Sequence, residues 1–242
     1  MPSVQEHYST HLGPLYAWMA GGADAAMARG AAEIAALLPD LATGALAVDL
    51  GAGFGMHAIA LARRGCAVLA LDTSSLLLQQ LTEHAAGLPV TAVEEDLSSF
   101  PRHLDRAADA ILCMGDTLTH LSDPSAVETL FGLAARSLRP GGKFIATFRD
   151  YTAPLQGAGR FIPVKSDADR ILTCFLEYGP DSVDVHDIVH ERVGNAWDMR
   201  VSVYRKLRLS PRWVCSELRA AGFSVTTEPG LAGMVRVVAT TA

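Results

Sequence analysis

The chain has 242 residues, half of them apolar, and a formal net charge of -6. This length allows one large domain with a buried core, and the acidic balance argues against nucleic acid as a partner. No stretch of about 18 apolar residues occurs and the first residues lack a cationic leader, so neither a membrane span nor a signal peptide is expected. The four cysteines lie far apart, which predicts reduced thiols without a metal site and favours the cytoplasm.

Helical and strand patterns alternate through the first 150 residues. A helix is predicted over 25–38, and continuous apolar strands are predicted over 45–50, 67–71, 89–93, 107–114 and 143–148. Further helices are predicted over 56–64, from Thr73 or Ser74 to Ala86, and from Asp123 or Ser125 to Leu138. Apolar strands separated by helices indicate a parallel sheet that is covered on both faces.

The pattern changes after Asp150. Alternating apolar and polar residues predict antiparallel strands over 171–177, 183–191 and 197–209, separated by turns. We expect these strands to form a small sheet whose own core is Phe161, Tyr178, Trp197 and Tyr204. A helix from Ser210 to Gly222 and strands over 224–227 and 234–240 complete the chain.

The segment LAVDLGAGFG at residues 46–55 contains glycine at every second position of its loop. Such glycines let a strand turn sharply into a helix and let a ligand approach the backbone closely. A dinucleotide fingerprint needs a third glycine three residues after the second, where this chain has Met56, and no lysine of a phosphate-binding loop is present. The loop therefore favours a nucleoside ligand without a polyphosphate.

Polar residues follow each predicted strand of the parallel sheet. Ligands of such sheets bind beyond the carboxyl ends of the strands, where the strand order reverses. Carboxylates there can accept hydrogen bonds from ribose hydroxyls and from an adenine amine, worth roughly 1.5–3 kcal/mol each. The residues in these positions are Asp49, Asp72, Asp96, Met114-Gly115-Asp116 and Arg149-Asp150-Tyr151.

These motifs resemble those of the class I S-adenosylmethionine-dependent methyltransferases. The resemblance rests on VDLGAGFG at 48–55, LALD at 69–72, EEDL at 94–97, DAILCMGDTLTHL at 109–121 and LRPGGKFIATF at 138–148. It implies a doubly wound, Rossmann-like α/β fold with a seven-stranded sheet, an antiparallel last strand and an antiparallel β lid inserted after strand five. We expect a single domain over 1–242, with a helical cover over 1–34, a cofactor-binding core over 35–150 and 208–242, and the lid over 151–207.

The resemblance also implies S-adenosyl-L-methionine as the cofactor and assigns roles at its site. The glycine loop would pass beneath the methionine part, Asp49 would orient the loop and the amino group, Asp72 would hold the ribose, and Asp96 would read the adenine edge. The residues expected to bind the cofactor are Tyr16, Asp49, Gly51, Ala52, Gly53, Gly55, Asp72, Thr73, Asp96, Leu97, Met114 and Gly115.

Methyl transfer from a sulfonium is an in-line displacement by a lone pair, so it demands no metal. Alignment of the reactants alone can lower the barrier by about 7–11 kcal/mol. A base is needed only when the acceptor must lose a proton first, and His120, Asp116 and Asp150 are within reach for that role. We expect His120 and Asp116 to act in catalysis, and the acceptor to be bound by Tyr8, Arg149, Tyr151, Arg160 and His186.

We predict methyl transfer to nitrogen or oxygen of a small molecule, by a cytoplasmic monomer or homodimer with neither a nucleic acid nor a membrane as its partner. Enzymes that methylate DNA amines resemble one another in a proline-proline-aromatic motif after strand four, where this chain has Met114-Gly115-Asp116-Thr117. Two alternatives remain open. One is a nicotinamide-dependent oxidoreductase, and the other is a non-catalytic regulatory module that binds S-adenosylmethionine.

Overall fold

The strands form two separate sheets, and the glycine loop belongs to the larger one. In the computed structural model, which describes residues 3–242, this sheet has seven strands. They are β1 (Leu46–Leu50), β2 (Ala67–Asp72), β3 (Val90–Glu94), β4 (Ala108–Cys113), β5 (Leu138–Phe148), β10 (Phe223–Pro229) and β11 (Val235–Thr241). Their order across the sheet is β10-β11-β5-β4-β1-β2-β3.

The directions of the strands match the predicted doubly wound sheet. Strands β1 to β5 pair in parallel, whereas β11 pairs antiparallel with both β5 and β10. The order reverses between the adjacent strands β1 and β4, and this reversal opens a crevice beyond their carboxyl ends. The prediction of the fold class, including the antiparallel last strand, is confirmed.

Helices cover both faces of the large sheet. They are α1 (Val4–His7), α2 (Gly13–Met19), α3 (Ala23–Leu37), α4 (Met56–Arg63), α5 (Ser75–His84), α6 (Pro124–Ser137) and α7 (Pro211–Ala220), with a π-helical turn over Tyr8–Leu12. Ser74, Asp123 and Ser210 cap α5, α6 and α7 by accepting a backbone N–H bond of the first turn. No helix in residues 3–242 is both long and apolar enough to cross a membrane.

The core consists of two apolar layers, one on each side of the sheet. Every residue of β1 is buried, which explains why all of its residues except Asp49 are apolar. One layer includes Phe131 of α6 and Leu218 of α7, and the other includes Ile34 of α3, Ile59 of α4 and Leu81 of α5. Complete burial of each such side chain contributes roughly 1.5–3 kcal/mol, and it holds the strand ends in a fixed register around the crevice.

The second sheet is the antiparallel lid that the sequence predicts after β5. Its strands are β6 (Phe161–Ser166), β7 (Arg170–Tyr178), β8 (Ser182–Val193) and β9 (Ala196–Leu207), and they pair in that order. Burial alternates along β8, so one face of the sheet is covered and the other is wet. On the covered face, Leu172 and Val189 pack against Leu12 and Leu15 of the N-terminal helical segment.

The lid departs from prediction at two points. Strand β6 has no counterpart among the predicted elements, since Pro163 interrupts it and most of its side chains are exposed. The predicted lid core is also wrong for Phe161 and Trp197, which are 51% and 48% exposed. Both residues lie on the outer face of the sheet, where Phe161 pairs with Phe175. Tyr204 is buried as predicted.

Candidate active site

The glycine loop joins β1 to α4 and is held tightly against its neighbours. The N–H groups of Gly51 and Ala52 both donate to the carbonyl of Leu71, at 2.8 and 2.9 Å. Gly51 has a φ of +72°, and a Cβ atom added there would lie 2.4 Å from the side chain of Thr117. Only glycine fits this position, because both the backbone conformation and the space exclude a side chain.

Two carboxylates lie beside this loop. Asp72 Oδ2 accepts the N–H of Gly53 at 2.8 Å, and its Oδ1 accepts the N–H of Ser74 at 2.9 Å. Burial raises the pKa of Asp72. Asp49 is almost fully buried, its Oδ2 has no hydrogen-bond partner among the described residues, and burial raises its pKa to about 6. An unpaired buried carboxyl oxygen is costly unless a ligand or an ordered water supplies a donor.

A cavity of about 620 Å³ opens at the carboxyl ends of the parallel strands, within the size range of small-molecule sites. Eight of the twelve residues predicted to bind the cofactor line it: Tyr16, Gly51, Gly53, Asp72, Thr73, Asp96, Leu97 and Gly115. Asp49, Ala52, Gly55 and Met114 do not line it. Ala52 and Met114 belong to the apolar layer around α4. Asp49 is buried in β1, and Gly55 precedes the first residue of α4.

The N-terminal segment closes one side of the cavity. Gln5 Nε2 donates to the carbonyl of Thr73 at 3.0 Å, so the start of the chain is tied to the predicted adenine side. Tyr16 packs edge-on against Phe54 of the glycine loop, and Tyr8 lies next to Tyr16 with ring centroids 5.8 Å apart. Both tyrosines therefore lie at the cavity, where an N-terminal aromatic residue is predicted to contact the cofactor.

His120 lines the same cavity from the 3-10 turn after β4. Its Nε2 lies 3.4 Å from the hydroxyl of Tyr8, and its ring stacks on Tyr204 of the lid. Its Nδ1 is buried and has no partner among the described residues. Burial, with Lys206 nearby, lowers the pKa of His120 well below its usual value, so the imidazole is neutral at physiological pH.

Asp116, the second predicted catalytic residue, is buried beneath the lid and does not line the cavity. Its Oδ1 accepts the N–H of Arg149 at 2.8 Å. Its Oδ2 accepts from the hydroxyl of Tyr151 at 3.1 Å and from Lys206 Nζ at 2.5 Å. Because this carboxylate is held by three donors and does not line the cavity, the geometry gives Asp116 a structural position instead of that of a base.

Four of the five residues predicted to bind the acceptor do not line the cavity; Tyr8 is the exception. Arg149 donates to the carbonyl of Ala232, and Tyr151 is buried against Asp116. The guanidinium of Arg160 lies 4.8 Å from the ring centroid of Phe175, and His186 faces Glu177 on the outer side of the lid. His186 points away from the cavity because side chains alternate between the two faces of β8, and the odd-numbered residues form the covered face.

Several residues at or near the site have no counterpart among the predicted set. Lys206 of β9 is bonded to Asp116, and Asp187 of β8 lies 3.0 Å from Nε2 of the buried His7. Ser122, Ser125 and Thr129 line the far end of the cavity. No local signal marks the pairing of Lys206 with Asp116 or of Asp187 with His7, because the partners lie 90 and 180 residues apart in the chain.

Comparisons with known proteins agree with this geometry. A family described as "Methyltransferase domain" matches residues 47–142. The chain is 35% identical over 97 residues to a ubiquinone biosynthesis O-methyltransferase of Photorhabdus laumondii, an alignment that covers 39% of each protein. The chain thus spans about two fifths of the length of this curated relative.

Two further similar proteins extend over most of the chain. A cypemycin N-terminal methyltransferase of a Streptomyces species is 28% identical over 205 residues, with 77% of this chain and 78% of the relative aligned. The S-adenosylmethionine-bound structure of CalS10, an amino pentose methyltransferase from Micromonospora echinaspora, superposes with a TM-score of 0.73. It is 19% identical and covers 89% of this chain and 90% of that one, so the likeness concerns the fold.

The strand order, the glycine loop and the acidic residues at the strand ends define a Rossmann-like protein that binds a nucleoside cofactor. The family match over residues 47–142 narrows this description to a methyltransferase domain. The fold is that of the S-adenosylmethionine-dependent methyltransferases to which the chain is similar. The predicted family and cofactor are confirmed, and the nicotinamide alternative is set aside.

The residues of the cavity fit this cofactor chemically. S-adenosylmethionine presents an ammonium group, two ribose hydroxyls and an adenine amine, all of which donate hydrogen bonds. The cavity wall presents acceptors, namely the carboxylates of Asp72 and Asp96, and the unpaired oxygen of Asp49 is buried in β1 next to the glycine loop. At Gly115 a Cβ atom would meet nothing within 4 Å, so the turn after β4 leaves open space beside the loop.

Proposed function

We propose that the protein transfers the methyl group of S-adenosylmethionine to the nitrogen of a small-molecule amine that carries no anionic group. One observation carries this proposal. A single cavity is lined on one side by Gly51, Gly53 and Asp72 and on the other by His120 and Tyr8. A cofactor bound to the glycine loop would share that cavity with its acceptor, which is the proximity that a direct displacement requires.

The cofactor would be held by residues of the sheet edge. We assign the methionine part to the loop of Gly51 and Gly53, the ribose to Asp72, and the adenine to Asp96. Asp49, buried in β1, would orient the loop and through it the ammonium group. When bound, the cofactor supplies an activated methyl group. The bond from the acceptor nitrogen to this methyl carbon forms as the carbon–sulfur bond breaks, and S-adenosylhomocysteine is the product.

The protonation states of the cavity favour nitrogen over an alcohol oxygen. A neutral amine attacks with its own lone pair, whereas an alcohol needs a base strong enough to draw off its proton. His120 is a weak base here because its pKa is lowered well below the usual value. Tyr8 stays protonated because burial raises its pKa well above 10.0. Both groups are suited to orient a neutral amine, and the methylated ammonium product can lose its proton to water after it leaves the site.

The charges of the cavity favour an acceptor without carboxylate or phosphate groups. Among the described residues, no lysine or arginine lines the cavity, while Asp72, Glu95 and Asp96 do. Lys206, although close beneath the lid, is engaged by Asp116. An acceptor with an uncharged reacting nitrogen and no anionic group is therefore electrostatically matched to the site, and an anionic acceptor would lack a partner.

Two of the similar proteins support a nitrogen acceptor by their names. One is described as acting at the N-terminus of cypemycin and the other on an amino pentose. The second candidate is oxygen methylation, which is favoured by the higher identity to the ubiquinone biosynthesis O-methyltransferase. That match covers 39% of this chain, so it says less about the acceptor side than the cypemycin match, which covers 77%.

The test uses acceptor pairs that differ in one group. Benzylamine is compared with benzyl alcohol, glucosamine with glucose, and tyramine with tyrosine. S-adenosylhomocysteine release is measured, and mass spectrometry locates the added methyl group. For any scaffold that reacts, we expect kcat/KM of the amine to exceed that of its alcohol or carboxylate partner by at least about tenfold. Preferential methylation of the alcohol contradicts the nitrogen proposal, and cofactor binding without turnover on any acceptor supports the non-catalytic alternative.

We also propose the cytoplasm as the site of action and a monomer or homodimer as the working form, with neither nucleic acid nor a membrane as partner. All four cysteines are free thiols, which suits a reducing compartment. The formal net charge of -6 opposes binding to a phosphate backbone. Light scattering of the purified protein measures the oligomeric state directly.

A further inference from the structure

We infer that the buried ion pair between Asp116 and Lys206 is a positioning device that lets the lid control the affinity of the site for its cofactor. Lys206 Nζ lies 2.5 Å from Asp116 Oδ2, and both side chains are more than nine-tenths buried. Neither residue lines the cavity, but Gly115 and Thr117, on either side of Asp116, both do. The inference rests on the cofactor part of the proposed function.

The backbone at Asp116 is in an unusual conformation. Its φ is +76°, in the left-handed region that side chains other than glycine rarely adopt. Its N–H donates to the carbonyl of Thr147, and its carbonyl accepts from the N–H and the hydroxyl of Thr119. A strained turn of this kind persists only when its surroundings fix it, and the carboxylate of Asp116 provides that anchorage.

Three separate segments meet at this carboxylate. The turn after β4 supplies Asp116, the segment after β5 supplies the N–H of Arg149 and the hydroxyl of Tyr151, and the lid strand β9 supplies Lys206. Burial alone would lower the pKa of Lys206, but the adjacent charge of Asp116 raises it above the usual value. Lys206 is therefore the charged partner of Asp116, and this ion pair requires the lid strand to be in place.

The turn that Asp116 fixes is in direct contact with the glycine loop. The side chain of Thr117 lies where a Cβ atom on Gly51 would be, at 2.4 Å, and its hydroxyl donates to the carbonyl of Met114. A shift of the turn would move Thr117 against Gly51 and would displace Gly115 at the cavity wall. Lys206 thus affects the cofactor site indirectly, through its bond to Asp116 and the contact between Thr117 and Gly51.

The experiment separates affinity from stability. Lys206→Met leaves Asp116 buried without its cation, and we expect the thermal midpoint to fall by about 10 °C. The double variant Asp116→Asn/Lys206→Met removes both charges, and Asn tolerates the left-handed turn, so the midpoint returns to within a few degrees of the wild type. We expect the dissociation constant for S-adenosylhomocysteine, measured by calorimetry, to remain about tenfold raised in the double variant.

A milder variant and a control complete the design. Tyr151→Phe removes one hydrogen bond to Asp116, and we expect a folded protein with about two- to threefold weaker binding. The control is Asp184→Asn/Arg205→Met, which removes the exposed pair of the same sheet, with Arg205 Nε 2.7 Å from Asp184 Oδ1. Its affinity should equal that of the wild type.

Wild-type affinity in both the Asp116→Asn/Lys206→Met and the Tyr151→Phe variants overturns the inference and leaves the proposed function intact. If the wild type itself binds no S-adenosylhomocysteine, the proposed function fails as well.

Discussion

The edge of the parallel sheet and the covered face of the lid both bury carboxylates, yet the two regions leave them in different states. At the sheet edge, Asp49 retains an unpaired oxygen and Asp72 is held only by backbone N–H groups. Under the lid, Asp116 is bonded to Lys206 and Tyr151, and Asp187 accepts from Cys174 and lies 3.0 Å from His7.

This difference separates residues that await a ligand from residues that hold the protein together. Burying an unpaired polar atom costs roughly 1–3 kcal/mol, which a ligand can recover by supplying the missing partner. A fully paired carboxylate gains nothing from a ligand and loses much when a partner is removed. Substitution at the sheet edge is therefore expected to act on affinity directly. Loss of one partner under the lid is expected to cost stability, and it changes affinity only through the turn that Asp116 holds.

The largest expected effect is on the sheet edge, at Gly53. This residue has a φ of +54°, and an added Cβ atom would point toward Tyr16 across the cavity. We expect Gly53→Val to weaken binding of S-adenosylhomocysteine at least about 1,000-fold, or about 4 kcal/mol, because a branched side chain would occupy the ligand's path. Isothermal calorimetry measures this loss.

The control for this variant is Gly87→Val. Gly87 has a φ of +78° and nothing within 4 Å of an added Cβ atom, so valine strains the backbone there without touching the site. Its affinity should match that of the wild type. Unchanged affinity in Gly53→Val would remove the glycine loop from the cofactor site.

The unpaired carboxyl of Asp49 predicts a dependence of stability on pH. The pKa of Asp49 is about 6 in the folded protein and 3.8 when the residue is exposed. Between pH 3.8 and pH 6, the folded state therefore binds a proton that the unfolded state has released. The wild type therefore loses about 3 kcal/mol of unfolding free energy as pH rises from below 4 through 6, and Asp49→Asn does not. At pH 8 the variant should be the more stable protein in urea unfolding, while it binds the cofactor more weakly.

Asp123 provides a control of opposite sign. Hydrogen bonds from Ser125, Ala126 and Ser122 lower its pKa to about 2, so its contribution is present above pH 4 and is lost as pH falls through 2. Asp123→Asn should be the less stable protein above pH 4 and should converge with the wild type in acid. An Asp49→Asn curve parallel to the wild-type curve between pH 4 and 8 would contradict the assignment of a buried, unpaired carboxyl.

His120 lies where the two regions meet, so its substitution tests whether they act together. We expect His120→Gln to lower kcat about 10- to 100-fold on a reactive amine, because the residue orients the lone pair of the acceptor toward the methyl group. The affinity for S-adenosylhomocysteine should stay within about twofold of the wild type. The surface variant His103→Gln serves as the control, and equal kcat in both variants would make His120 a packing residue.

The sequence alone predicts the parallel sheet well, for a physical reason. Its strands are continuous apolar runs with glycine or proline between them, and the observed bounds of β1 to β4 lie within about two residues of those expected. The predicted cofactor residues other than Tyr16 lie at or next to strand ends, and parallel strands bring these ends to one edge, where eight of the twelve predicted residues line the cavity. Local sequence and global fold agree in this half of the molecule.

The lid lacks such signals. Lys206 lies in an alternating strand, where a lysine normally indicates the wet face, and only its pairing with Asp116, 90 residues away, makes burial possible. The alternating pattern also does not tell which face of the lid carries His186, because this depends on the register of β8 with its neighbouring strands. Which face is covered depends on the N-terminal helices that pack against it, and no short-range pattern specifies that packing.

The smallest expected effect follows from this ambiguity, at Trp197. Composition suggests that Trp197 and Tyr204 belong to one aromatic core, whereas Trp197 is 48% exposed and Tyr204 is 5% exposed. We expect Trp197→Ala to change the unfolding free energy by no more than about 0.5 kcal/mol. Tyr204→Ala, on the same strand, should cost about 3–5 kcal/mol because it empties a packed position between His7 and His120. Urea unfolding of the two variants measures the difference, and equal losses would mean that the outer face of the lid is covered in solution.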